Sequence, residues 1–340
     1  MPSSIKHILV IRLSALGDVA MTVPILRVLK TNYPELKVTV LTRQQFKPLF
    51  DDLKDVSVFG ADVYGKHKGV LGLRRLSKEL KALEIDAVAD LHNVLRSKIL
   101  KIFFGKIPFQ QIDKGRAEKK ALVSGKLFKQ LKTTHERYAD VFRHLGFEID
   151  LTQHQFPQKR VISTHVKEHI TTTDMLIGIA PFAAFEGKMY PLHLMEQVIS
   201  TLSRDYNILL FGGGKKEIEA LDAIQNNNKN IVNLAGKLSF SEELDVISNL
   251  DLMIAMDSAN AHLAALFGVK TLTIWGVTHP YAGFAPFGQP KENMLLADRE
   301  AFTKIPTSVY GKTFPNGYEN AIETISPNGI ITKAISILEH

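Results

Sequence analysis

The run His7-Ile8-Leu9-Val10-Ile11-Arg12-Leu13 passes directly into Ser14-Ala15-Leu16-Gly17-Asp18, and the reading of these twelve residues decides the fold. A short apolar run closed by a small-residue turn reads as a buried strand. Val19 to Asn32 then has helical spacing, with Pro24 in its first turns. Proline is tolerated there because the early N–H groups of a helix have no intrahelical acceptor. Buried strand, tight turn and helix, in that order, form the repeating unit of a parallel α/β sheet.

Outward from this unit the pattern recurs. Lys37 to Thr42, Val56 to Phe59 and Ala87 to Leu91 read as further strands, with a basic helix over Gly72 to Leu83. Residues 151–175 are polar and aperiodic and read as a linker. A second series follows, with strands expected at 176–180, 207–211, 252–256 and 271–275. Helices fit 192–203, 216–225, 241–249 and 260–267, and Ser326-Pro327 reads as the cap and first residue of a closing helix. The expected domains are therefore 1–158, 159–325 and a closing helix at 326–340. A chain of 340 residues with 45% hydrophobic residues supports two cores.

Composition excludes several classes. There are no cysteines, so disulfide frameworks, cysteine zinc sites and thiol catalysis are ruled out. The apolar run near the start is only about eight residues long and is interrupted by Arg12, short of a secretory signal. No stretch approaches the ~20 apolar residues of a membrane span. The expectation is a soluble, cytoplasmic protein. The net charge of +7 is uneven: residues 1–158 carry 27 Lys and Arg against 16 Asp and Glu, the remainder 15 against 19. Arg96 to Lys132 holds 11 basic residues against Asp113 and Glu118. Such a block is either a solvated surface or a site for an anionic partner. No nucleic-acid motif accompanies it.

The turns discriminate among α/β chemistries. Ser14 to Asp18 contains one glycine, so a dinucleotide fingerprint is absent. Gly212-Gly213-Gly214-Lys215-Lys216 lacks the spacing of a phosphate-binding P-loop. Asp18 lies at the carboxyl end of a strand, where open α/β sheets bind ligands. Two readings stand there: a helix cap, or a general base toward an acceptor hydroxyl. Met256-Asp257-Ser258-Ala259-Asn260-Ala261-His262 joins a strand to a helix whose free N–H groups suit an anion. Asp257 or Ser258 caps it, or Asp257 accepts from a sugar hydroxyl; His262 donates to a phosphate or simply packs. Lys188, in a small-residue loop, is either a surface lysine or a point charge for a diphosphate. The glycines of 212–214 permit close backbone approach, and Glu217 suits ribose, base or the helix N-terminus. All three clusters of the second half fall at strand carboxyl ends and converge on one site.

At this point the chain resembles a known family. Ile11-Arg12-Leu13-Ser14-Ala15-Leu16-Gly17-Asp18-Val19, with Thr22-Val23-Pro24 and Leu26, is similar to the N-terminal signature of the bacterial lipopolysaccharide heptosyltransferases, glycosyltransferase family 9. Gly212 to Gly214, Asp257 to Ala265 and Trp275-Gly276-Val277-Thr278-His279-Pro280 resemble its later landmarks in order. The resemblance implies a GT-B fold, two Rossmann-like domains with a crevice between them. It also implies inverting chemistry that needs no metal or cofactor, with a nucleotide sugar, ADP-heptose, as donor. It makes 1–158 the acceptor-binding domain and 159–325 the sugar-nucleotide-binding domain. It assigns Asp18 as general base, and Lys188, Gly213, Glu217, Asp257, Ser258, Ala259, Asn260 and His262 to the donor. It gives the basic stretch, represented by Arg96, Lys98, Lys119 and Lys120, to an anionic lipopolysaccharide precursor at the inner face of the cytoplasmic membrane. Ala259 stands where the family usually has Gly, and Ala183 and Ala184 where it often has hydroxyls. These departures bear on the donor more than on the fold. Two other readings remain open: a GT-B transferase using another nucleotide sugar, and a non-catalytic sugar-nucleotide-binding relative.

Overall fold

The computed structural model describes residues 5–170, 174–226 and 228–339. The first strands and helices are β1 (His7–Ile11), α1 (Leu16–Ala20), α2 (Val23–Asn32), β2 (Lys37–Thr42), β3 (Val56–Gly60), α3 (Gly69–Lys81), β4 (Ala87–Asp90), α4 (Leu95–Phe104), β5 (Phe109–Gln111), α5 (Arg116–Val123) and α6 (Thr134–His144). There follow α7 (Thr164–His169), β6 (Leu176–Ala180), α8 (Leu192–Leu202), β7 (Asn207–Leu210), α9 (Lys215–Gln225) and β8 (Ile231–Asn233). The last are α10 (Phe240–Ile247), β9 (Leu252–Met256), α11 (Ala259–Leu266), β10 (Lys270–Trp275), β11 (Met294–Leu296) and α12 (Pro327–Glu339).

Two all-parallel sheets result. The first has the order β3-β2-β1-β4-β5, the second β11-β10-β9-β6-β7-β8. Counted from its own first strand, the second sheet has the order 6-5-4-1-2-3. Read from its other edge this is 3-2-1-4-5-6, so both sheets share one Rossmann topology. In each, the order reverses between the first and fourth strands. Those pairs are β1 with β4, in register Ile11 to Asp90, and β6 with β9, in register Ala180 to Ala255.

The central strands are buried on both faces, as parallel sheets require. Leu9, Ile11 and Val88 pack with Leu73, Leu76 and Leu80 of α3 and Leu100 and Phe104 of α4. In the second sheet, Ile177, Ile179, Ile254 and Met256 pack with Val198, Ile199 and Leu202 of α8 and Ile330, Ala334 and Ile337 of α12. Each large side chain so buried contributes roughly 1.5–3 kcal/mol. Ser326 accepts from the Gly329 N–H at 3.1 Å, so the closing helix has its expected cap.

The long helix expected over 19–32 is two helices. Pro24 has no N–H to donate to Ala20, so the ladder stops and α2 begins afresh at Val23. The basic helix starts three residues earlier than expected, at Gly69. Three strands were not foreseen: β5, β8 and β11, each of three residues and each at a sheet edge. An edge strand that short carries no readable alternation. The expected linker contains α7, and its residues 171–173 lie outside the described residues, as do 1–4.

By contacts the chain forms two compact units that do not follow a single boundary at 158. Unit 1 holds residues 1–114 and 134–155; unit 2 holds 115–133 and 156–340. The segment 115–133 belongs to unit 2 because its leucines pack there. Leu122 and Leu131 cluster with Ala282, and Leu127 packs beside Tyr281 and Phe284. The Leu131 N–H donates to the Tyr281 carbonyl at 3.0 Å. Phe128 stacks 5.0 Å from both His279 and Tyr281, under the Arg299 guanidinium at 3.4 Å. This redraws the charge map. Unit 1 carries 21 Lys and Arg against 15 Asp and Glu, unit 2 carries 21 against 20. The second unit is therefore not the acidic half that a linear division makes it.

Candidate functional site

The clearest constellation lies in unit 2, where β6, β9 and β10 end. Asp257 follows β9 and is buried. Its Oδ2 receives Lys188 Nζ at 2.8 Å and the Thr278 hydroxyl at 2.9 Å. Lys188 Nζ also donates to the Asp257 carbonyl at 3.2 Å. Lys188 is therefore not a surface lysine: its side chain is 14% exposed and is held by the loop after the neighbouring strand. Its own loop is fixed in turn. The Val277 N–H donates to the Gly187 carbonyl at 3.0 Å, and a Cβ at Gly187 would stand 2.5 Å from Val277 Cγ2. A Cβ on Gly311 would reach within 2.7 Å of Lys188 Cγ, so this glycine, at φ +72°, lets the lysine stem pass. Three strand ends and the 307–311 loop thus set one ammonium group.

Beside it, α11 begins. Ser258 occupies the cap position, but its Oγ makes no capping bond. That buried hydroxyl has no hydrogen-bond partner among the described residues. Asp257 is committed to Lys188 and Thr278. The first-turn N–H groups are therefore left without a side-chain cap, which is the condition for an anion to take their place. Ala259 and Asn260 are half-buried on that turn and His262 is buried behind it. The 212–214 loop ends β7 next to β6. Gly213 donates its N–H to Glu217 Oε2 at 2.8 Å, so Glu217 organises this loop from the first turn of α9. Gly214, at φ +80°, turns the chain into the helix.

Unit 1 carries a second charge pair at the equivalent place. Asp18 lies in the third position of α1, not at its cap, and Oδ2 accepts from the Ala15 N–H at 3.3 Å. Arg12 Nη2 meets the same carboxylate oxygen at 2.5 Å. Arg12 Nη1 donates to the Leu91 carbonyl at 2.8 Å, and Tyr138 reaches the Asp18 carbonyl at 3.3 Å. The Asp18 side chain is 28% exposed, so one carboxylate is oriented from two sides yet open to solvent.

The loop after β4 completes this end of the sheet. Asp90 is fully buried; its Oδ1 accepts from the N–H groups of His92 and Asn93 at 2.9 Å each, and its Oδ2 from Gln111 at 2.8 Å. Burial, with the nearby charge of Arg12, holds the His92 imidazole down to about 3 and hence neutral at physiological pH. Arg12, Asp90, His92 and Thr278 were not assigned roles from the sequence. The available signal was a charge at position 12 within an otherwise apolar strand, since a buried guanidinium must find a partner.

The basic residues divide between the units. Arg96 and Lys98 are exposed on α4, with Arg96 over the Tyr64 ring at 5.9 Å. Lys120 is exposed on α5. Lys119 is buried, its ammonium 4.0 Å from the Phe284 ring centroid. Its surroundings are those of a packing residue.

Known proteins resemble this chain over most of its length. The profile of glycosyltransferase family 9 (heptosyltransferase) matches residues 73–312. Lipooligosaccharide heptosyltransferase 2 of Haemophilus influenzae is 27% identical, covering 81% of this chain and 84% of its own length. Lipopolysaccharide heptosyltransferase 3 of Escherichia coli is 26% identical, covering 86% and 87%. Among solved structures, a family 9 glycosyl transferase from Veillonella parvula superposes with a TM-score of 0.78 at 20% identity, over 98% of this chain and 97% of that one. The E. coli ADP-heptose LPS heptosyltransferase II gives 0.71 at 18% identity, over 98% of each chain. The fold is GT-B. The family match spans more than two thirds of the sequence and includes the Lys188, Glu217 and Asp257 loops. This chain belongs to glycosyltransferase family 9, the heptosyltransferases.

Proposed function

We propose that the protein transfers a heptose from ADP-heptose to a lipopolysaccharide core acceptor, with inversion and without a metal. The observation that carries the donor half is the Lys188–Asp257–Thr278 cluster beside the uncapped N-terminus of α11. A diphosphate seated there meets an ammonium and a helix dipole, which stabilise the negative charge that develops as it departs. Ser258, Ala259, Asn260 and His262 surround the phosphates. Gly213 and Glu217 face the nucleoside, and Asp257 holds Lys188 and stands near the donor sugar. The ADP-heptose and lipopolysaccharide words in the names of the relatives support this choice of substrates.

In unit 1, Asp18 acts as the base. An acceptor hydroxyl oxygen bonds to the anomeric carbon from the face opposite the diphosphate. The anomeric carbon–oxygen bond breaks, its electron pair leaves with ADP, and the hydroxyl proton passes to Asp18. A base so positioned contributes roughly 10²–10⁴-fold in rate. Arg12 keeps the carboxylate oriented. Arg96 and Lys98 on α4, with Lys120 on α5, attract the anionic acceptor. Among the described residues no helix is long and apolar enough to cross a membrane. Leu95 and Ile102 are exposed on α4 among Arg96, Lys98 and Lys101. That face suits peripheral contact with the anionic inner leaflet by a cytoplasmic enzyme.

The test is calorimetric titration with ADP-, UDP-, GDP- and CMP-linked sugars, followed by turnover with the preferred donor. Selective binding of the ADP-sugar and transfer to heptose-free lipopolysaccharide supports the proposal. Preference for UDP redirects it to another sugar, and binding without turnover makes the chain a non-catalytic relative.

A further inference from the structure

The two sheets have one topology, so their loops can be matched position by position. In unit 2 the loops after the first and fourth strands, β6 and β9, are joined by the Lys188–Asp257 pair. In unit 1 the ion pair itself, Arg12–Asp18, lies after β1, and Arg12 alone reaches on to the loop after β4. The Arg12 guanidinium spans the Asp18 carboxylate and the Leu91 carbonyl. The residue after Leu91 is His92. It thus occupies the place in unit 1 that the Asp257–Ser258 turn occupies in unit 2.

The loop that carries it is built with care. Buried Asp90 fixes the N–H groups of both His92 and Asn93. The Asn93 side chain donates to the Ile112 carbonyl at 2.9 Å. Asn93 is held at φ +42°, in the left-handed region. A strained, over-determined backbone at a strand's carboxyl end is characteristic of sites that present a side chain. The side chain presented here is unused: His92 is 8% exposed, and its buried Nδ1 has no hydrogen-bond partner among the described residues. A polar atom of that kind is normally satisfied, so this one calls for a water or a ligand as its partner.

We propose that His92 is a contact for the acceptor sugar: its imidazole hydrogen-bonds an acceptor hydroxyl and so sets the nucleophile beside Asp18. This rests on unit 1 being the acceptor side. Neutrality fits the neighbourhood, since burial and the charges of Arg12, Lys114 and Arg96 on α4 hold the proton off this ring against the pull of Asp18, while Asp90 holds only the backbone N–H. Among cations, a neutral ring binds a polyhydroxylated ligand without adding repulsion, and it does so unchanged between pH 5.5 and 8.

The experiment uses the full chain with ADP-heptose and O-deacylated, heptose-free lipopolysaccharide. In His92→Leu, the acceptor KM should rise about tenfold, the scale of one lost hydrogen bond to a ligand. The donor KM and the ADP affinity should stay within twofold. His92→Gln, which keeps a hydrogen-bonding terminus, should recover most of the acceptor KM. His92→Ala replaces the Leu variant if the latter does not fold. Wild-type acceptor KM should be flat from pH 5.5 to 8. An active, folded Leu or Ala variant with unchanged acceptor KM overturns the proposal alone. So does a KM that falls steeply with acidification, which marks a protonating, anion-binding histidine. A wild type that neither binds nor glycosylates this acceptor or the same core already bearing heptose overturns the functional reading and the His92 proposal together.

Discussion

The two units place one device at the same topological position and tune it to opposite ends. In unit 1 the pair is Arg12–Asp18: the cation is buried, and the carboxylate is 28% exposed. In unit 2 the pair is Lys188–Asp257: the carboxylate is 6% exposed and the cation 14%. The exposed member in unit 1 is a proton acceptor, and the more exposed member in unit 2 is a positive charge. A sheet that reverses strand order makes a ligand site in either case. What differs is which partner is the more exposed, and under the proposed function that difference divides base chemistry from diphosphate binding.

The comparison breaks first at Asp18. Asp18→Asn should lower turnover by about 10²–10⁴-fold while ADP binding and the thermal midpoint stay near wild type. Turnover within tenfold of wild type removes Asp18 as base. Stability sharpens the contrast next. Lys188→Met strands a buried carboxylate and should cost about 3–5 kcal/mol by urea denaturation, with weakened ADP binding. Arg12→Met leaves a carboxylate that still reaches water and should cost less, about 1–2 kcal/mol. Equal losses would mean that the two pairs are not differently buried. Lys188→Met combined with Asp257→Asn should restore much of the stability without restoring ADP affinity.

A pH titration gives a third test. His92 in unit 1 is depressed from 6.5 to about 3 by burial and the Arg12 charge, and His279 in unit 2 to about 4 by burial and Arg299. The unfolded chain therefore binds protons below pH 6.5 that the folded chain refuses. Stability is full above 6.5 and is lost as pH falls toward these values. His92→Gln should recover about 2 kcal/mol at pH 5 and nothing at pH 7.5. An identical loss in wild type and variant would show that His92 titrates normally. The smallest effect belongs to the 115–133 segment. Lys119→Gln should cost about 0.5–2 kcal/mol through its lost contact with Phe284. Lys120→Glu should leave stability unchanged and weaken acceptor association in a salt-dependent way.

Much of this was legible in the residues. The strand of 7–11 and the four strand-to-helix turns stand out because buried parallel strands are unbroken apolar runs. The edge strands β5, β8 and β11 did not, because three residues carry no period. Lys188 and Asp257 each read ambiguously in isolation, 69 positions apart, and only packing makes them a pair. Asp18 read as cap or base, and the structure places it at the third position of α1, paired with Arg12. Lys119 looked like its neighbour Lys120. The ring of Phe284, 165 residues onward, marks a packed ammonium off from a solvated one. His92 left no sequence signal beyond its position after an apolar run.

The segment 115–133 also has a meaning for how the molecule is made. It leaves the ribosome roughly 150 residues before the 279–299 surface that it covers. At usual rates of synthesis this is a wait on the order of ten seconds. During that wait Leu122, Phe128 and Leu131 have no partner, and neither half can be finished as a continuous piece of chain. A fragment cut at 158 would inherit the basic arm without the rings that hold it, and its complement would expose those rings to water. Two repeats of one topology have thus become a single heritable unit, separable in geometry and inseparable in translation.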